Sequence, residues 1–264
     1  MIALGAECYS HGASPCTGTG RSWNVEELGA AINGQVSVLV FDDHGKADLQ
    51  ELLAGVVETS FEQEQLAQAL AAPDDVENWR VGEAIAEAYL TEHRDCLFPW
   101  PDGRDERKSG SSLPGADLVG VQQDEQGDRF VFGEAKTSRQ AKYPPGAVYG
   151  RTGLKQQLED LRDKVGIRND LFKYLGHRAK NATWRDRFKT ASKRYLNNTS
   201  DVQLFGVLVR DVEPNVDDVR VRVEKLGNGC PAGTQIELLA LYLPIGAIGN
   251  LAAQALAVQA GGGA

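Results

Sequence analysis

The sequence Phe130-Val131-Phe132-Gly133-Glu134-Ala135-Lys136-Thr137-Ser138 begins like a buried β-strand and ends with two opposite charges. Its aromatic and β-branched residues are typical of a pleated surface packed against a core. Side chains two apart on a strand project from the same face, so Glu134 and Lys136 are expected side by side, with Ala135 turned away. An exposed pair of this kind is most often only a surface ion pair, so its meaning depends on the neighbouring segments.

A second short strand upstream provides such a neighbour. The sequence Leu113-Pro114-Gly115-Ala116-Asp117-Leu118-Val119-Gly120-Val121 predicts a turn that enters a strand, with Asp117 as the only charge near its start. The polar residues 122–128 then predict the loop of an antiparallel hairpin. The hairpin would bring Asp117 next to Glu134, and two carboxylates on one face repel unless a divalent cation lies between them. Hard oxygen ligands favour Mg²⁺ or Mn²⁺ over zinc.

A helix is predicted before these strands, over residues 79–90. Its apolar residues share one side of the helix, as on a core-facing surface: Val81, Ala84, Ile85 and Ala88. The same helix carries two glutamates one turn apart, Glu83 and Glu87.

These three segments resemble the PD-(D/E)xK nuclease superfamily, whose fold is that of type II restriction endonucleases. The segment Pro114-Gly115-Ala116-Asp117 matches the first motif, and Glu134-Ala135-Lys136 matches the second. The resemblance implies an α/β fold with a three-layer core, in which helices flank a central mixed sheet. It also implies that the protein is a metal-dependent enzyme that hydrolyses DNA phosphodiester bonds.

The resemblance further implies a role for each site residue. Asp117 and Glu134 are expected to hold Mg²⁺, for which Mn²⁺ should substitute, and the backbone carbonyl of Ala135 is a further expected ligand. Many members of the superfamily place an acidic ligand on the first helix; Glu83 is the first choice here and Glu87 the second. Lys136 is expected to stabilise the negative charge that builds on the phosphate.

The segments around both motifs also resemble small nuclease subunits of bacterial antiphage systems, the Hachiman type among them. In those systems a helicase controls the nuclease, so this narrower resemblance implies an antiviral defence effector with a helicase or ATPase protein as partner. A stand-alone sequence-specific restriction or repair endonuclease would use the same residues. A non-catalytic nucleic-acid-binding module would keep the basic residues without needing the carboxylates.

Charge is distributed unevenly along the chain. The protein has 28 basic and 37 acidic residues, yet residues 136–194 contain sixteen Lys or Arg and only five Asp or Glu. This asymmetry indicates a defined surface for a polyanion, here DNA. Basic residues of this segment are therefore candidates for binding nucleic acid: Lys142, Arg151, Lys155, Arg178, Lys180, Arg185, Arg187 and Lys189. Trp184 and Tyr195 would either stack on unpaired bases or serve as core aromatics.

The remaining elements are predicted from apolar runs and turn residues. Strands are expected at 35–41, 202–209, 219–223 and 236–243, and helices at 47–57, 61–71, 153–165 and 247–259. The long loop at 98–112 would place Arg107 and Lys108 beside a phosphate backbone. Residues 1–75 are expected to form a small N-terminal α/β extension, 76–258 the nuclease domain and 259–264 a flexible tail.

Composition excludes several other classes of protein. The chain of 264 residues is 42% hydrophobic and 25% charged, as in ordinary globular domains. We expect no membrane span and no secretion signal, and hence a cytoplasmic protein, because no apolar run is long enough and the N-terminus lacks a basic start. Four widely spaced cysteines predict reduced thiols instead of a disulfide framework or zinc ribbon.

Overall fold

The computed structural model describes residues 1–71, 75–100 and 115–261. Its framework is one seven-stranded mixed sheet in the order β1-β2-β7-β6-β5-β4-β3. The strands are β1 (Ala6–Ala13), β2 (Cys16–Ser22), β3 (Cys96–Leu97), β4 (Leu118–Asp124), β5 (Gly127–Ser138), β6 (Val202–Arg210) and β7 (Gln235–Tyr242). Strands β2, β7, β6 and β5 run parallel, whereas β1, β4 and β3 pair antiparallel to their neighbours.

Helices cover both faces of this sheet, which gives the three-layer α/β fold that the sequence predicted. They are α1 (Val25–Ala31), α2 (Ser37–Val40), α3 (Asp43–Leu53), α4 (Ser60–Ala69), α5 (Asn78–His93), α6 (Leu154–Asp163), α7 (Val165–Ala179), α8 (Arg185–Asn197), α9 (Arg220–Gly227) and α10 (Leu251–Gly261). Residues of α1, α2, α5 and α10 form one hydrophobic core with the sheet, and residues of α6 to α9 form a second core on the other face.

Strand β5 shows how the alternation of side chains builds the two cores. Val131 and Ala135 face the core that contains α5, whereas Phe130 and Phe132 face the core that contains α6 to α8. The ring of Phe130 packs edge-on against three aromatic rings: Phe172, Phe188 and Tyr195. The predicted hairpin of β4 and β5 and the buried strands β6 and β7 are present. The hairpin loop is shorter than expected: residues 122–124 and 127–128 pair within the strands, so only residues 125–126 form the turn.

Two strand predictions were wrong because short apolar runs satisfy more than one periodicity. Residues 35–41 are helical: a kinked helical turn spans Ile32–Val36 and is followed by α2, so Val36 and Val40 lie on one buried side. Residues 219–223 alternate Val and Arg as a strand would. They enter α9 instead, where Val223 and Leu226 face the second core.

The N-terminal residues belong to the central sheet. Strand β2 pairs with β7 over seven residues, and β1 pairs with β2, so the division expected near residue 75 does not separate two sheets. The sequence analysis did not predict β1 and β2, because Thr17-Gly18-Thr19-Gly20 has the composition of a loop. Gly18 and Gly20 instead leave room for close packing, since a Cβ would meet Val223 at Gly18 and Tyr9 at Gly20. Helices α3 and α4, in contrast, bury none of their residues.

Packing of α6 onto the sheet depends on Gly206, which is paired with Glu134 across β5 and β6. A Cβ on Gly206 would lie 2.6 Å from Leu158 Cδ1 and 2.7 Å from Leu238 Cδ2, and both leucines are buried. We expect Gly206→Ala to lower the free energy of unfolding by about 1–3 kcal/mol, because an overpacked core must shift side chains or backbone. Urea denaturation measures this change.

Gly29→Ala is the matched control, since Gly29 lies in α1 and a Cβ there meets no atom within 4 Å. This substitution should leave stability equal or raise it by roughly 0.5–1 kcal/mol, because alanine favours a helix. Equal stability of Gly206→Ala and the wild type would contradict the close approach of α6.

Candidate active site

Strand β4 begins at Leu118, so it leaves the last residues of β5 unpaired along one edge. Pairing between the two strands stops at Leu118 and Gly133, whereas β5 continues to Ser138 and there pairs with β6 alone among the strands of the described residues. The backbone N–H of Ala135 would therefore lack an acceptor on that side. Asp117, immediately before β4, provides one, because its Oδ2 accepts a hydrogen bond of 2.9 Å from Ala135 N. The first carboxylate is thus held by the backbone of the strand that carries the second.

Lys136 joins the two carboxyl groups, as the spacing predicted. Its Nζ lies 2.5 Å from Glu134 Oε1 and 4.0 Å from Asp117 Oδ2. The Glu134 residue is only 2% exposed, so this ion pair is largely shielded from solvent. The attraction within a buried ion pair offsets the desolvation of its charges only when further polar groups hydrogen-bond to them. These distances show that Asp117, Glu134 and Lys136 form one cluster.

Helix α5 adds two charged residues to this cluster. Glu83 lines the same cleft as Asp117, Glu134 and Lys136, and Arg80 Nη1 lies 3.8 Å from Glu83 Oε2. Glu87, one turn further along, does not line this cleft; it lines an adjoining cavity of about 30 Å³ together with Glu83 and Asp117, and a separate cavity of about 490 Å³. Of the two glutamates proposed for the helix carboxylate, Glu83 is the one on the cleft.

The carbonyl of Ala135 is placed suitably for a ligand. In a β-strand the N–H and C=O of one residue point toward the same edge. Because Ala135 N–H points toward Asp117, its carbonyl faces the edge that β4 leaves open, and Ala135 lines the cleft.

Burial perturbs the protonation of all three charged groups. Burial, and then the charge of Asp117, raise the pKa of Glu134 to about 7. Burial also raises the pKa of Asp117, although Lys136 and the Ala135 N–H oppose this shift. Burial works against the charge of Lys136, but the two carboxylates outweigh it, and its pKa lies above the ordinary value. With Glu83 included, three carboxyl groups outnumber the two basic groups, Lys136 and Arg80, and such a setting favours a bound cation.

The cleft above these groups has a volume of about 340 Å³. Its walls include Trp79 from the first turn of α5, Thr152 from the turn before α6 and Gln157 from the first turn of α6. The sequence analysis did not single out Trp79 or Thr152. Trp79 had a detectable signal, because it lies four residues before Glu83 and therefore on the same side of the helix. Nothing in the sequence distinguishes Thr152 from other loop threonines.

The candidate DNA-binding residues divide into two groups. Four of them contact other side chains: Lys155 with Glu159, Arg178 with the ring of Tyr174, Arg187 with Asp128 and Lys189 with Asp186. The other four are exposed and form no ion pair within the part of the chain that the structure describes: Lys142, Arg151, Lys180 and Arg185. Arg151 directly precedes Thr152 at the cleft. Pro114, Arg107 and Lys108 lie outside the described residues.

Several other basic residues of the segment 136–194 stabilise the fold through ion pairs and hydrogen bonds. Arg194 binds Asp124 and Asp201, and the buried Arg168 donates to the backbone carbonyls of Arg162 and Thr199. Tyr195 is 1% exposed within the second core, so it is a core aromatic and cannot stack on a base.

Comparisons with known proteins do not assign this chain to a family. No protein-family model matches the chain, and no curated protein matches it. Over residues 1–71, 75–100 and 115–261, no three His, Cys, Asp or Glu side chains form a group that could hold a metal ion. No helix in these ranges is long and apolar enough to cross a bilayer. Cys8, Cys16, Cys96 and Cys230 are all free thiols, as expected.

Glu134 should make the metal-free protein less stable as the pH rises. Its pKa is about 7 in the folded protein, whereas an unfolded glutamate has a pKa of about 4.3. The folded state therefore binds more protons between these values, and stability is lost as the pH rises through that window. Urea denaturation in EDTA at about pH 5 and pH 8 should show a larger loss for the wild type than for Glu134→Gln. Equal losses would mean that Glu134 is not the group responsible.

Asp117 offers a second test of the crowding of carboxylates. Asp117→Asn keeps an oxygen that can accept from Ala135 N–H but removes a charge that raises the pKa of Glu134. We expect the melting temperature in EDTA near neutral pH to be equal or higher than in the wild type. Asp117→Ala also removes the acceptor, and an unsatisfied buried N–H costs about 1–3 kcal/mol, so this variant should melt lower than Asp117→Asn. Similar melting of the two variants would argue against the hydrogen bond.

Proposed function

We propose that this protein is a Mg²⁺-dependent nuclease that hydrolyses DNA phosphodiester bonds. The observation that carries the proposal is the convergence of Asp117, Glu134 and Lys136 on one cleft, with Glu134 buried beneath it. A buried glutamate with a raised pKa beside a second carboxylate is a combination found most often at working sites. The resemblance of the two motifs to the PD-(D/E)xK superfamily gives the chemistry of the proposal.

The chemistry of the donors suits a hard divalent cation, although within the described residues no three acidic, His or Cys side chains lie close enough to form a ready-made metal site. Three carboxyl groups, those of Asp117, Glu134 and Glu83, outnumber the two basic groups beside them, Lys136 and Arg80. All three acidic residues and Ala135 line the cleft. Mg²⁺ and Mn²⁺ prefer such oxygen ligands and retain bound waters. When bound, the ion would lower the pKa of a water and polarise the phosphate.

The protein groups have separate tasks around the phosphate. The Lys136 ammonium would donate to a phosphate oxygen as negative charge builds there, while Glu134 keeps it in position through their ion pair. Asp117 is itself fixed by Ala135 N–H, so the two carboxylates keep their relative orientation before substrate arrives. The exposed Lys142 and Arg151 would contact flanking phosphates, which predicts binding that weakens with salt.

The other functions from the sequence analysis remain alternatives with distinct outcomes. A sequence-specific restriction or repair endonuclease would give discrete fragments, and a non-catalytic binding module would give none. The antiphage role and the helicase partner depend on another protein and stay predictions. For these reasons the test combines a cleavage assay with a metal-binding assay.

We expect the wild type to nick or linearise supercoiled plasmid in Mg²⁺ or Mn²⁺ and to be inactive in EDTA. Glu134→Gln and Lys136→Ala should each lower the rate on agarose gels by at least about 100-fold, as expected when a group that stabilises developing charge is removed. Glu64→Gln and Lys225→Ala are matched controls on exposed helix positions and should cut like the wild type. Cleavage at the wild-type rate by either site variant would overturn the site assignment.

A nuclease that awaits a partner would be quiet on plasmid, so metal binding provides a readout without turnover. Mn²⁺ should raise the melting temperature of the wild type and of both controls, because a ligand that binds only the folded state stabilises it. The same Mn²⁺ concentration should have little effect on Glu134→Gln. An equal shift in Glu134→Gln would place the bound ion elsewhere.

A further inference from the structure

Trp79 forms an aromatic wall of the cleft that the hydrolytic chemistry does not require. It lies in the first turn of α5, four residues before Glu83, and both side chains line the cleft. Residues that follow it in the same helix, Val81 and Ile85, are completely buried, whereas Trp79 is 37% exposed. Trp23, in contrast, is buried, and its Nε1 donates to the Ala3 carbonyl. The ring of Trp79 is therefore available to a ligand in the cleft.

The depth of the cluster restricts which form of DNA can reach it. Glu134 lies at the floor with a side chain only 3% exposed, and Lys136 above it is 26% exposed. A phosphodiester group must enter the cleft to contact either residue. The volume of about 340 Å³ is at the lower end of the range for small-molecule pockets and suits one nucleotide, so a base that enters beside its phosphate has to be unpaired.

The opposite wall supplies polar groups. Thr152, in the turn before α6, and Gln157, in its first turn, line the cleft, with the exposed Arg151 next to Thr152 along the chain. A nucleotide between the walls would have its phosphate near Lys136, its base against the Trp79 ring and its neighbouring phosphate within reach of a cation. Alternation of aromatic rings and positive charge is the usual arrangement for binding single strands without sequence preference.

We propose that the cleft takes an unpaired DNA strand and that Trp79 stacks on the base next to the scissile phosphate. This inference rests on the proposed nuclease function, since it names the substrate class of the same site. Every base has a π-face, so the stacking is tolerant of sequence. The preferred substrates are then single strands, frayed ends and gaps, with intact duplex bound more weakly.

Binding can be tested apart from cleavage. Fluorescence anisotropy in EDTA, in a Glu134→Gln background, compares a fluorescein-labelled single strand of mixed sequence, the same strand with abasic sites, and the matched duplex. Trp79→Ala should weaken binding of the intact single strand at least about fivefold, the lower limit for loss of one stacked base. Trp79→Phe should retain most of the affinity, because phenylalanine still offers a ring.

Two comparisons show whether the effect comes from stacking. The protein with Trp79 intact should bind the abasic strand as weakly as Trp79→Ala binds the complete strand, and duplex affinity should be unchanged by Trp79→Ala. Phe61→Ala, which removes an exposed ring on α4, is the matched control and should have no effect. Equal weakening for strand and duplex, or tight binding of the abasic strand, would overturn the inference.

Failure of this inference is distinguishable from failure of the proposed function. If plasmid cleavage depends on Glu134 and Lys136 while Trp79→Ala binds single strands normally, the stacking role is wrong and the nuclease stands. If no metal-dependent cleavage or Mn²⁺ binding is found but Trp79→Ala loses single-strand affinity, the cleft still takes an unpaired strand, as a binding module would.

Discussion

Strand β5 loses one neighbour at Gly133, and the arrangement of the candidate site follows from that constraint. A strand with one unpaired edge must satisfy its N–H and C=O groups in another way. Here Asp117 accepts the Ala135 N–H, which draws a carboxylate onto the edge where Glu134 and Lys136 emerge on the next positions. Completion of the backbone hydrogen bonds therefore brings the two acids together. Their mutual repulsion is a consequence of the fold, and Lys136 compensates only part of it.

The sequence predicted this hairpin because its local patterns and its long-range pairing agree. The apolar residues 118–121 and 130–132 lie on either side of a polar segment that contains Gly127, which predicts a hairpin, and the position of Asp117 beside Glu134 follows from the register. The wrong strand at 35–41 and the unpredicted strands β1 and β2 have the opposite cause. There the fold depends on distant partners: α5 and α10 for the helical 32–40 segment, and β7 for β2. Local propensity contains no information about such partners.

Charge counting identified a strongly basic segment but could not separate the residues that stabilise the fold from those exposed on the surface. The excess of Lys and Arg between residues 136 and 194 includes Arg194, which joins α8 to Asp124 and Asp201, and Arg168, which binds backbone carbonyls. These side chains stabilise the fold, and their charged groups already have partners within the protein. The basic charge that remains exposed on the surface is smaller than the sequence indicates, and Arg151 and Lys180 are examples of it.

The environment, more than residue type, separates the candidate site from other ion pairs in this protein. Lys189 and Asp186 lie 2.9 Å apart, similar to the Lys136 pair, but the Asp186 side chain is 91% exposed and that of Glu134 only 3%. Water screens the first pair, so its charges have little effect on anything bound nearby. Around Glu134 the paired Gly206 allows α6 to pack closely and exclude water. Gly206 on the neighbouring strand thus influences how strongly the Glu134 carboxylate would interact with a cation or a phosphate. The Glu-x-Lys motif alone contains no information about this neighbour.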